Sequence, residues 1–173
     1  MSSNPSKITG GCHCGAIRYE ATEPPKQTGT CHCRTCKKST GSAFMVIAGF
    51  SLNAFRFTKG EPKRYRSAPI MEKGFCSNCG SLLYDRYLVR VREVTSPDVI
   101  WVQLGTLDNP EPYTIDFHYS VETQLPWVHF DDDARRMRCD EDPDMAAAFQ
   151  AAATGVDYSA LQEIELAIDR GRT

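Results

Sequence analysis

Seven of the eight cysteines in this 173-residue chain fall into three tight clusters. They are Cys12 and Cys14, then Cys31, Cys33 and Cys36, then Cys76 and Cys79 followed by Gly80; Cys139 stands alone. As a disulfide, a Cys-x-Cys pair closes only a small, strained ring. Clustering of this kind points to metal ligation instead. A metal shared between the first and last clusters ties the start of the chain to its middle, whatever fold lies between.

Composition narrows the setting. Lys plus Arg number 20 against 22 for Asp plus Glu, without the basic excess of a nucleic-acid binder, so no nucleic-acid partner is expected. The apolar runs, such as 43–50, are too short to cross a bilayer, and no membrane partner is expected. The opening MSSNPSKITG lacks the apolar core of a secretory signal. The expected location is cytoplasmic, where reducing conditions also disfavour disulfides.

From residue 8 to about 130 the chain reads as short β segments at 16–21, 43–50, 55–58, 81–91, 99–105 and 113–119, rich in β-branched and aromatic residues. Turn signals separate them at 23–25, 59–62, 95–98 and 107–112. The expected class is all-β with antiparallel sheets. Residues 131–144 form a charged run, read as a linker or exposed helix end. Alanine-rich 143–153, with its acidic start, prescribes a helix, and 157–171 prescribes a second. The expectation is a β domain at 8–130 and a charged linker with a helical extension at 131–173, which packs on the domain or mediates self-association as a homodimer.

In extended backbone, residues two apart share a face, so Cys12 and Cys14 can meet one metal while His13 points away. Cys76 and Cys79 form a C-x-x-C knuckle, and Gly80 supplies the positive φ that such turns often need. Four thiolates in tetrahedral array make a closed structural zinc site. The middle cluster is different: Cys31, Cys33 and Cys36 supply three ligands and need a fourth. Water, a substrate thiol, a histidine, Cys139 or a carboxylate each qualifies. Three protein ligands with an exchangeable fourth mark a catalytic zinc. A second closed site is the competing reading, and spacing alone leaves the two level. Lys37 and Lys38, with Ser39 and Ser42 in the following STGS, are candidates for positioning an acidic ligand there; ordinary solvated loop residues are the alternative.

The segments GGCHCGAIRYEA, CHCRTCKKSTGSAF and FCSNCGSLLY, followed by DFHYSVETQLPW, resemble the glutathione-dependent formaldehyde-activating enzyme family, whose domain is shared with centromere protein V. The likeness covers residues 8–130. It implies a β-tent of packed antiparallel sheets with two zinc ions per chain. It also implies that Cys12, Cys14, Cys76 and Cys79 hold a structural zinc, and that Cys31, Cys33 and Cys36 hold a catalytic one. The implied activity is a carbon–sulfur lyase acting on a thiol–aldehyde adduct of the S-hydroxymethylglutathione type, with a small thiol such as glutathione as partner. His118 or an ordered water is the candidate general acid for the alkoxide; a histidine tied into the core is the competing role. A non-catalytic, zinc-stabilised binding module is the alternative function.

Overall fold

In a computed structural model, residues 7–153 are described, and the helix expected at 157–171 lies outside them. The elements are β1 (Ile8–Gly11), β2 (Arg18–Ala21), β3 (Gln27–Cys31), α1 (Arg34–Thr40), β4 (Met45–Ser51), β5 (Phe55–Lys59), β6 (Lys63–Ala68), β7 (Met71–Phe75), β8 (Leu82–Tyr87), β9 (Val99–Gln103), β10 (Phe117–Tyr119), β11 (Arg135–Met137) and α2 (Pro143–Ala153). Strands β1, β2 and β5 form a small sheet in the order β1-β2-β5; the other eight form a large one in the order β11-β10-β3-β4-β9-β8-β7-β6. The all-β expectation holds. Pairing is antiparallel except at one end, where β10 runs parallel to both β3 and β11. Among the described residues no helix is long and apolar enough to cross a membrane.

Strand position follows residue type. The central strand β9, VIWVQ, is buried at every residue, as a strand covered on both faces must be. The edge strands β6 (KRYRSA) and β11 (RRM) carry cationic, mostly exposed side chains, which discourage pairing with a further strand. The run 131–144, expected as a linker, thus lends three residues to the sheet. Helix α2 occupies the expected 143–153. Asp142 caps it, its carboxylate accepting the Met145 N–H at 3.1 Å, with Pro143 in the first turn where its missing N–H costs nothing.

The two faces of the large sheet have different tasks. On one, Ala48, Phe50, Tyr84, Ile100 and Val102 pack against Tyr19, Ala21 and Phe55 of the small sheet to make the main core. On the other, Val99, Trp101 and Phe117 form a second cluster, with the Trp101 and Phe117 rings edge to face at 6.0 Å. Register places Cys31 opposite Met45 and Tyr119 on that second face, and Thr30 opposite Val46 and His118 on the first. The alternation of side chains therefore divides the sequence's candidate residues between two sides of one sheet.

Candidate metal centres and the cavity beside them

The four-cysteine set is assembled at two strand ends. Cys12 and Cys14 follow β1, and Cys76 and Cys79 follow β7. Each half closes on a glycine: the Gly15 N–H donates to the Cys12 carbonyl at 3.0 Å, and the Gly80 N–H to the Cys76 carbonyl at 2.8 Å. Both glycines sit at positive φ, 71° and 75°, where a side chain would strain the backbone. The four sulfurs lie within 4.8 Å of one another. Cys12 to Cys14 is 3.6 Å and Cys14 to Cys76 is 3.8 Å; a tetrahedron of Zn–S bonds of about 2.3 Å has edges of ~3.8 Å. Donors already point at the sulfurs, the Ile17 N–H at Cys12 (3.2 Å) and the Asn78 amide at Cys14 (3.2 Å). The donor set fits zinc. His13, between two of the cysteines, is exposed and is not among the grouped ligand atoms, although residues 12–14 form a turn rather than extended backbone.

The three-cysteine set is local. Cys31 ends β3, Cys33 is the N-cap residue of α1 with its sulfur accepting the Cys36 N–H at 3.4 Å, and Cys36 lies buried in the helix. Their sulfurs also lie within 4.8 Å of one another, and among the described residues no histidine, carboxylate or further cysteine joins them. Cys139, a candidate fourth ligand, lies instead beside the Tyr119 hydroxyl, with its N–H on the Glu122 carboxylate at 3.2 Å. Met45, Ile47, Leu82 and Tyr119 pack around the set. The three sulfurs compete for negative charge. Hydrogen bonds from Cys31 and Cys36 hold the Cys33 thiol well below its ordinary value, the Cys33 contact pushes Cys31 up, and the Cys31 and Cys33 contacts push Cys36 up. A divalent cation relieves that competition by taking all three as thiolates, so this set too fits zinc.

A buried ion pair stands near this second set. Lys73 of β7 and Asp85 of β8 are directly opposed in register, and the Lys73 ammonium donates to the Asp85 carboxylate at 2.6 Å. The two side chains are only 5% and 4% exposed. Burial opposes the charge on Lys73, but Asp85 and the thiols of Cys36 and Cys33 more than offset it, leaving its pKa raised. Lys73 also lines a cavity of about 420 Å³, within the usual range for small-molecule sites. Arg34 and Lys38 of α1 share the cationic side with it, while Tyr65, Phe75 and Leu82 supply apolar wall. No acidic residue is among the lining groups. The Ser67 hydroxyl, also in the wall, is buried with no partner among the described residues.

The expected positioning residues separate accordingly. Lys38 and Ser39 line the cavity, though the Ser39 hydroxyl donates back to the Thr35 carbonyl at 2.7 Å. Lys37 turns away and donates to the Thr123 carbonyl at 2.6 Å, and Ser42 is exposed outside the wall. His118, the candidate general acid, is wholly buried and on the sheet face opposite Cys31. Its Nε2 meets the Asp132 carboxylate at 3.1 Å and its Nδ1 the Thr30 hydroxyl at 2.8 Å. The same hydroxyl meets Nε2 of His32 at 3.1 Å. Phe44 and Phe130 enclose the two histidines. That geometry ties His118 into a buried network on the face away from Cys31, the competing role named for it above. Lys73, Asp85 and the aromatic wall carried no sequence signal of their own, because only the register of distant strands brings them to the cavity.

The family model for the glutathione-dependent formaldehyde-activating enzyme matches residues 7–122. The chain belongs to that family. The matched stretch contains both cysteine sets and every residue named as lining the cavity, whereas Asp132 and β11 lie beyond it. Among solved structures, the chain is similar to a Rhodobacter sphaeroides protein determined as a structural-genomics target. The two are 23% identical, over 60% of this chain and 93% of that one, with a TM-score of 0.48. No curated protein matches the chain.

Proposed function

We propose that this family member is a zinc-dependent carbon–sulfur lyase that makes and breaks the adduct of a small acidic thiol, of the glutathione type, with formaldehyde or a similar aldehyde. The single observation that carries the reading is the three-cysteine set: three sulfurs in mutual reach, no fourth ligand among the described residues, and a cationic cavity alongside. Cys12, Cys14, Cys76 and Cys79 would hold a structural zinc, and Cys31, Cys33 and Cys36 a catalytic one. Zinc at the second set supplies a Lewis acid that lowers the pKa of an incoming thiol and keeps its sulfur as thiolate at neutral pH.

The protein's own groups do the rest. Arg34 and Lys38 draw the carboxylates of the thiol into the cavity, and Tyr65 and Phe75 cover its apolar stem. Met45, Ile47 and Leu82 surround the sulfurs with apolar side chains, which strengthens every charge interaction at the centre by excluding water. Two carboxylates on one thiol match two cations on one helix, which favours a dicarboxylic thiol over a neutral one.

The test is metal analysis combined with turnover of a panel of thiol–aldehyde adducts. Two zinc ions per chain and one active adduct support the reading. A fully loaded protein inert toward every adduct, or a cobalt-substituted protein whose spectrum ignores added glutathione, refutes it and leaves a zinc-stabilised binding module.

A further inference from the structure

Lys73 is a buried cation of the cavity wall, 4% exposed, and it feels the charge of Cys36 and Cys33. Register puts the two on one face of the large sheet: Lys73 opposes Asp85, Asp85 opposes Trp101, and Trp101 opposes Gly49. Gly49, Ile47 and Met45 alternate along one face of β4, and Met45 opposes Cys31. All these side chains point to the same side. Leu82, which packs on the three cysteines, lines the cavity together with Lys73.

Lysine is almost never buried unless it has a partner, and a buried ion pair is frequently no more stabilising than apolar residues of the same volume. A pair retained at such a place calls for a use beyond stability. Asp85 occupies one of the three ammonium hydrogens at 2.6 Å, and the cavity is where another can be directed. Lys38 is an exposed cation on the helix surface and suits the mobile carboxylates of a peptide-like thiol. Lys73 is fixed and desolvated, which suits charge that appears at one point during a reaction.

We propose that Lys73 is a catalytic residue of the carbon–sulfur reaction, with its ammonium donating a hydrogen bond to the aldehyde oxygen and Asp85 acting as the positioning residue that aims it. The inference rests on the lyase reading above and names the group that reading lacks. In the addition direction the thiolate sulfur forms a bond to the carbonyl carbon, and the carbonyl π pair moves onto oxygen. The oxygen takes up one proton from solvent to become hydroxyl, matching the proton the thiol released on binding. In the reverse direction that proton leaves, the C=O bond forms, and the electron pair of the breaking C–S bond returns to sulfur. In both directions the oxygen carries its greatest negative charge between the two stable states. A preorganised donor in a water-excluded place stabilises it there more than in either ground state.

The experiment compares the full-length chain with Lys73→Met, Lys73→Arg and the double variant Lys73→Met/Asp85→Asn. The double variant removes both members of the buried pair, so the test survives if the lone Asp85 charge prevents folding in the single one. Zinc content, the cobalt spectrum with and without glutathione, and kcat and KM on the active adduct are measured for each. The expected result is two metals per chain, thiol binding within about two-fold of the parent, and a fall of ~10²-fold or more in kcat with KM little changed. Lys73→Arg should recover part of the loss. Unchanged kcat in a metal-loaded Met variant overturns the proposal. So does a rise in KM alone, which would make Lys73 a carboxylate anchor. So does loss of the second metal with full activity per metal retained, which would make it only a counter-ion. A parent chain inert toward every adduct overturns the lyase reading itself, and this proposal with it.

Discussion

Thr30→Val tests the assignment of the two buried histidines. Both rings are fully buried, and one hydroxyl serves both, at 2.8 Å to His118 Nδ1 and 3.1 Å to His32 Nε2. Asp132 is an acceptor and takes the Nε2–H of His118. The Thr30 O–H then donates to Nδ1 of His118 and accepts the Nε2–H of His32, a tautomer assignment that follows from the network. Burial lowers the His32 pKa to about 4, so that ring is neutral. Valine has nearly the same shape and leaves no cavity. It strands one acceptor and one donor, and each buried polar group left unpaired costs about 1–3 kcal/mol. The methyl that replaces the hydroxyl returns about 0.8 kcal/mol. The net loss is about 3 kcal/mol, a large share of a typical domain's stability. Guanidinium unfolding at saturating zinc should show a lower midpoint with an unchanged slope, and turnover of the folded protein should stay at the parent's level. A stability loss below about 0.5 kcal/mol would refute the network. Intact stability with lost turnover would put the histidines into the chemistry, against the face assignment.

Three further outcomes follow from the same geometry. Cys33→Ser should lower zinc from two to one per chain and abolish turnover, with the far-ultraviolet circular dichroism preserved because the four-cysteine set is untouched. Gly80→Ala meets no atom within 4 Å but must hold a φ of 75°, so about 1–2 kcal/mol of backbone strain should appear as easier removal of the structural metal by a chelator. Asp142→Ala should lose about 1–2 kcal/mol through the α2 cap, read by thermal melting. Burial alone would raise the Asp142 carboxyl, but Arg92, the Met145 N–H and the Tyr119 hydroxyl hold it below the usual range. Its stabilisation is therefore present above the unfolded value near pH 4 and lost as pH falls through the depressed folded value. The gap between parent and variant should narrow in acid.

The metal chemistry was legible because it is local. Cys12 and Cys14, and Cys76 and Cys79, carry their turn glycines beside them, and Cys31, Cys33 and Cys36 need only a strand end and one turn of helix. The strand segments at 55–58 and 99–105 were legible for a similar reason, since β-branched and aromatic runs have few alternatives to a sheet. Helix α1 left no such signal: at seven residues, with Ser39 and Thr40 at its end, it is too short for apolar periodicity. Strand β11 left none because its contribution is backbone pairing, with Arg135 and Arg136 exposed. Lys73 and Asp85 carry no signal of their own within MEKGF and LLYDRY. What makes them a pair is the register of β7 on β8, and what puts them on the same face as Cys31 is the register from β8 through β4, neither of which is encoded within one segment.

The contrast between the two centres has a topological origin. The four-cysteine set joins two knuckles 62 residues apart at its Cys14–Cys76 contact, and each knuckle follows a strand of a different sheet. Holding a metal there closes a long loop, so the binding energy of that metal is folding energy. Such a site is best sealed by four thiolates. The three-cysteine set spans six residues and joins nothing that β3 and α1 do not already join. A metal there would add little to the fold, so a fourth protein ligand would bring little stability and, on the proposed function, would occupy the position taken by the thiol. The sheet keeps both demands compatible by placing Cys31 on the face away from the main core, where Lys73 and the cavity also lie, and His118 on the core side. In the proposed lyase, a centre that exchanges its fourth ligand is thereby attached to the fold without the fold depending on it.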